Sequence, residues 1–255
     1  MKNLQMKEGM VAILERIKLV MKNGIMHVNN HIGEKYIELL SDSEFSFEKG
    51  TIYGVIGESG AGGETISSLL SGRIISDNAG IYYDNIKADN KDIQSKGWYV
   101  GKVEYSDGIF QREISVKQVI NKAIRRYNRY ENINEVIQEF GLTQGRVEYK
   151  LSKYSGERLR ASLAIGYASN KIVYCFPWMN TAYFYDIILS SGVFRFFNKL
   201  KEEGCIIILP TSREENVNGF VDKVININNP KFNYILSENQ YFIQNIKRDN
   251  RPDFS

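Results

Sequence analysis

The stretch Gly57-Glu58-Ser59-Gly60-Ala61-Gly62-Gly63-Glu64-Thr65 follows a short apolar run, Thr51–Gly57, that reads as a strand. Beyond it Ile66, Leu69 and Leu70 recur at helical spacing until Gly72. A strand that passes through a glycine-rich turn into a helix gathers backbone N–H groups that converge on phosphate oxygens. Such a loop normally adds a lysine for the outer phosphates and a Ser or Thr for Mg²⁺. Here Gly63 stands at the lysine position and Glu64 at the hydroxyl position. Taken alone, the segment reads equally well as a tight strand–helix turn.

The surrounding chain supplies the context. Residues 11–50 are strand-rich, with period-two alternation around Phe45–Gly50. Further strands are predicted at Ile81–Asp84, Trp98–Val103, Lys171–Phe176, Cys205–Leu209 and Val221–Ile227. Residues 115–140 read as two amphipathic helices, with Asn132 capping the second. A helix is predicted after Ser155-Gly156-Glu157, and a long one over 184–203. Two strand-like pieces close the chain; the aromatic residues around Tyr234, Tyr241 and Phe242 read as edge-strand packing rather than a base-stacking platform. Buried β-runs alternating with helices give an α/β domain with a largely parallel core sheet.

Composition narrows the function classes. Lys and Arg number 33 against 30 Asp and Glu, a formal charge of +3, which argues against a dedicated nucleic-acid binder. The run Arg125-Arg126-Tyr127-Asn128-Arg129 reads as a solvated helix face. Cys175 and Cys205 both lie in apolar strands and read as reduced thiols. His27 and His31 are the two histidines and lack companions for a metal site. No apolar stretch approaches the roughly 20 residues that span a bilayer, and the opening segment has no clean signal-peptide core. The expected location is the cytoplasm, with any membrane role acting through a partner.

Three segments in the same order and spacing resemble the ATP-binding cassettes of ABC transporters, particularly bacterial peptide- and lantibiotic-immunity-type cassettes. Phe45–Thr65, FSFEKGTIYGVIGESGAGGET, resembles the family's phosphate-loop region. VGKVEYSDGIFQREISVKQVI resembles the Q-loop region and places Glu104 at the glutamine position; immunity cassettes also carry Glu there. Leu151–Gly166 resembles the signature motif and its helix, with Tyr154, Ser155, Gly156 and Glu157 at its core. The resemblance runs from about residue 13 to 228. It implies a single P-loop NTPase domain over 1–255, with a mostly parallel core sheet, an N-terminal antiparallel β-subdomain and an inserted helical subdomain at about 112–168.

The departures from the family pattern bear on mechanism. Its metal-holding aspartate and catalytic glutamate fall at Cys175 and Phe176, or at Phe176 and Pro177 if the register slips by one residue. The D-loop aspartate falls at Ala182 or Tyr183, and the switch histidine near Ser212. Each lost charge-assisted contact is worth roughly 1.5–3 kcal/mol. Two such losses amount to about 3–6 kcal/mol, or about two to four powers of ten in affinity. ATP and Mg²⁺ are therefore expected to bind weakly or not at all, and no residue of the chain is assigned a catalytic role.

The resemblance implies a pseudo-ATPase subunit that pairs head to tail with an intact cassette. Docked on a membrane permease, the pair would export a peptide or small molecule or confer immunity to it. In one alternative the chain is an active ATPase with Glu64 or Glu104 holding the metal. In another it is a regulatory or scaffolding protein outside transport.

Overall fold

The computed structural model describes residues 14–29, 35–103 and 112–229. Strands β1 (Arg16–Met21) and β4 (Ser43–Glu48) pair antiparallel, and β1 also pairs antiparallel with β6 (Ala79–Tyr83). The side-chain alternation of β1 and β4 buries Ile17, Leu19, Phe45 and Phe47 on one face. With the short β7 (Ile86–Lys87) these strands form a sheet in the order β4-β1-β6-β7. Strands β2 (Gly24–Asn29) and β3 (Lys35–Leu40) make a separate antiparallel ribbon, in which Met26 faces Glu38 and His27 faces Ile37.

A second sheet is parallel throughout. Its strands are β5 (Ile52–Ile56), β8 (Gly97–Tyr99), β9 (Val173–Cys175), β10 (Ile206–Thr211) and β11 (Lys223–Asn226), in the order β11-β5-β10-β9-β8. Every pairing within it is parallel. β9 and β10 are buried along their whole length, as strands covered on both faces require. The strand order places the carboxyl ends of β5, β9 and β10 side by side, the edge at which such sheets form their sites.

Helix α1 (Gly63–Leu70) follows β5, and α2 (Asn90–Lys96) precedes β8. Next come α3 (Val116–Tyr127), α4 (Ile133–Glu139) and α5 (Arg158–Ala168). Helix α3 begins in a capping box: Gln118 N–H donates to Ser115 Oγ at 3.3 Å, and Ser115 N–H donates to Gln118 Oε1 at 3.0 Å. It buries Val116, Ile120, Ala123 and Ile124, one stripe at helical spacing. Asn132 caps α4 by accepting from Asn134 N–H at 2.9 Å.

Helix α5 is buried on nearly all sides. It touches the core sheet through Gly166, where an added Cβ would lie 2.7 Å from the Trp98 ring. Ser162 Oγ on the same helix accepts from Trp98 Nε1 at 3.1 Å and from Gly101 N–H at 2.7 Å.

Two sequence expectations change. The long helix over 184–203 is broken into α6 (Thr181–Phe184), a π-helical turn (Tyr185–Ser190), a 3₁₀ turn (Val193–Phe196) and α7 (Phe197–Glu202). Gly192 sits at φ 70°, a left-handed conformation that an α-helix does not continue through. The strand expected over Trp98–Val103 stops at Tyr99, and Gly101 turns the chain at φ 98°. The closing strands around Tyr234 and Tyr241 lie outside the described residues.

Candidate functional site: a glycine loop filled by its own protein

The glycine-rich segment joins β5 to α1 as the sequence leads one to expect. Gly60 and Gly62 take φ values of 92° and 120°, and Gly62 is the N-cap of α1. These conformations turn the backbone N–H groups that follow toward one point, the geometry of an anion-binding loop.

The residues around that point are ones the sequence reading did not single out. Glu38, on β3, is fully buried. Its Oε2 accepts from Thr65 N–H at 2.6 Å and its Oε1 from Glu64 N–H at 3.3 Å. Burial pushes its carboxyl above the ordinary range, against hydrogen bonds from Thr65, Glu64 and Gly62 that pull it down. Trp178, after β9, lies across the loop. Its indole Nε1 donates to Gly57 C=O at 2.9 Å, and a Cβ on Gly63 would come within 2.9 Å of its Cδ1.

Glu64 turns into the protein, with 1% of its side chain exposed. Its Oε1 accepts from Tyr99 OH at 2.5 Å, from Arg73 Nη1 at 3.3 Å and from Ser68 Oγ at 3.3 Å. Its Oε2 accepts from Trp178 N–H at 2.8 Å. Burial raises its carboxyl to about 7, helped by the nearby Glu38 and opposed by Tyr99, Trp178 and Arg73. Glu64 thereby fastens the first turn of α1 to β8 and to the loop after β9.

Cys175 is fully buried in β9, in register with Ile208 and Tyr99. Burial, and then the charge of Glu64, hold its thiol well above the ordinary range. Phe176 is also fully buried, with its ring edge-on to Phe197 at 5.6 Å. Pro177 is buried beside it. Ser212 follows β10, and its N–H donates to Met179 C=O at 3.3 Å.

Tyr154 is buried at the approach to α5, while Ser155 and Gly156 are exposed. These two border a cleft of about 220 Å³ shared with Gly101, Arg158 and Tyr183. Glu157 is held in place, its Oε1 accepting from Thr143 Oγ1 at 2.6 Å. Glu104 and His31 lie outside the described residues. His27 is exposed on β2, and no cluster of three or more metal-ligating side chains occurs among the described residues.

Residues 40–176 match the ABC transporter family. The chain belongs to that family. It is 26% identical over 212 residues to a putative ABC transporter ATP-binding protein of Clostridium perfringens, covering 77% of this chain and 35% of the relative. It is 27% identical over 160 residues to the methionine import ATP-binding protein MetN of Photobacterium profundum, covering 56% of this chain and 44% of that protein. The chain thus spans less than half the length of these curated relatives.

Solved ABC structures share the fold. The structure of cbiO1 from Clostridium perfringens, part of the ABC transporter complex cbiONQ, superposes with a TM-score of 0.54 at 15% identity, covering 82% of this chain and 84% of that one. A dimeric ATP-binding cassette bound to ADP and Pi superposes with a TM-score of 0.57 at 17% identity, covering 82% and 94%.

ATP with Mg²⁺ is the group this family implies, and the residues present do not fit it. The N–H groups of Glu64 and Thr65 are taken by Glu38, and the indole of Trp178 stands against Gly63, the residue expected at the family's lysine position. Both oxygens of Glu64 are engaged by protein donors, so Glu64 does not serve as an open metal ligand. Cys175 and Phe176, one of the two pairs expected to stand at the family's carboxylate positions, are side chains of the apolar core.

Proposed function

We propose that the chain is a non-hydrolysing cassette subunit of an ABC transporter, built to pair with a cassette that does hydrolyse ATP. The observation that carries this reading is the arrangement at Gly63 and Glu64. The lysine position is covered by Trp178, and the residue at the magnesium position is tied inward to Tyr99, Arg73 and the Trp178 backbone. Positioning and electrostatic stabilisation supply nearly all of phosphoryl-transfer catalysis. A loop in which both functions are replaced by internal packing has nothing with which to drive it.

The signature segment is the part of the site left open. Ser155 and Gly156 are exposed at the head of α5, beside the cleft they share with Gly101 and Tyr183. In a head-to-tail pair they would face the nucleotide held by the partner's own phosphate loop. The inserted helical subdomain, about 112–168, would present them. No helix among the described residues is long and apolar enough to cross a membrane. The pair would therefore sit at the inner face of the membrane through a permease, and its cargo would be a peptide or small molecule, exported or removed for immunity.

The test is hydrolysis by the purified chain, with an intact partner cassette assayed in parallel. We expect none above a blank for the chain alone. Contaminant-free turnover of even about 0.1 s⁻¹, against typical enzyme values of about 1–10³ s⁻¹, overturns the reading.

A further inference from the structure

A carboxylate buried without compensation is among the costliest arrangements in a protein interior. Glu38 is buried completely, and what compensates it is the glycine loop: Thr65 N–H at 2.6 Å and Glu64 N–H at 3.3 Å, with Gly62 contributing as well. We propose that Glu38 is a resident internal ligand of this loop: β3 supplies the oxyanion that the loop's N–H groups are shaped to receive, so the loop is held occupied with no nucleotide present. The inference rests on the reading of the chain as a non-hydrolysing cassette and adds to it the identity of the occupant.

The delivery is by packed structure. On the β2–β3 ribbon Met26 lies opposite Glu38, and Met26 and Val28 are buried in the same apolar cluster as Ile66, Leu69 and Leu70 of α1. The preceding residue of β3, Ile37, is 54% exposed, so the ribbon presents its carboxylate inward while an apolar side chain faces out. A carboxylate and a phosphate are alike in offering several acceptor lone pairs to converging N–H donors. A carboxylate tethered in the same chain competes at a high effective concentration with any anion in solution.

The inference predicts an anion site that appears when Glu38 is removed. The full chain, as wild type and as Glu38→Ala, is titrated with inorganic pyrophosphate and followed by calorimetry and thermal melting. Wild type is expected to show no saturable binding at millimolar pyrophosphate. Folded Glu38→Ala is expected to bind it, with a melting temperature raised by about 3–5 °C at ten times the dissociation constant. Equal binding by both proteins, or no gain in folded Glu38→Ala, overturns the inference.

If Glu38→Ala does not fold, the backbone amide resonances of Gly62, Glu64 and Thr65 in the wild type decide. Resonances unmoved by pyrophosphate support an occupied loop, and saturable shifts overturn it. ATP hydrolysis by the wild type would remove the functional reading itself. A wild type that neither hydrolyses nor binds, alongside a folded Glu38→Ala that gains nothing, removes only the assignment of Glu38.

Discussion

Replacing Gly63 by alanine tests how closely Trp178 fills the loop. A glycine-to-alanine change within a helix ordinarily stabilises by roughly 0.5–1 kcal/mol. Here the new Cβ would lie 2.9 Å from Trp178 Cδ1 and 3.2 Å from Pro210 Cβ. The ring has little freedom to yield, because its Nε1 donates to Gly57 C=O and its own backbone N–H donates to Glu64. Overpacking of this kind costs about 1–3 kcal/mol. The midpoints leave a net loss of about 1 kcal/mol, or a melting temperature lower by about 2–4 °C for a chain of this size.

Thermal and urea denaturation of Gly63→Ala measure this directly. Combining it with Trp178→Ala isolates the cause: once the indole is gone, Gly63→Ala should recover the ordinary stabilising sign. If Gly63→Ala alone is as stable as wild type or more so, the indole does not occupy the lysine's place, and the account of the filled loop fails. Gly63→Lys carries the same clash and should restore no ATP hydrolysis.

Other consequences follow from buried groups elsewhere. Glu64 has a folded-state carboxyl near 7 against an ordinary 4.5, so the folded chain holds a proton that the unfolded chain releases. This contribution is fully present below pH 4.5 and lost as pH rises through about 7, a decline on the order of 3 kcal/mol; melting temperatures that rise over that interval would contradict it. Ser162→Ala should cost about 2–4 kcal/mol by leaving the buried donors Trp98 Nε1 and Gly101 N–H without their acceptor, and a loss under about 0.5 kcal/mol, the scale of an ordinary surface change, would speak against that role. With an intact partner cassette, Ser155→Glu should abolish the pair's ATP hydrolysis, since it places charge where the partner's terminal phosphate would sit. Unchanged hydrolysis in an assembled pair would leave the chain a scaffold.

The order of strands and helices was legible because burial follows local periodicity in most of the chain. The Asn132 cap and the strand–glycine–helix unit depend on neighbours within a few positions, and both occur as read. The long helix failed because apolar spacing around Phe184 and Ile188 ignores the left-handed turn at Gly192. At the site, the sequence led to an expectation of missing family residues but gave no sign of what packs around the loop. Glu38 meets Thr65 across 27 positions of sequence, and Trp178 meets Glu64 across 114. Hydropathy points the wrong way at β3, where Ile37 is exposed and Glu38 is buried. Such a reversal becomes readable only when the donors that receive the carboxylate are in view.

The chain has two tryptophans, Trp98 and Trp178. Trp98 is 5% exposed and bonded to Ser162 in the interior, whereas Trp178 is half-buried against the glycine loop. Their emission is therefore separable: an indole shielded from water fluoresces at shorter wavelength than one partly in contact with it. With Trp98 replaced by phenylalanine, the remaining signal reports from one place, the wall of the loop. The side chain standing against Gly63 thus doubles as an optical gauge, one that would register in real time any event that lifts the indole from Gly57.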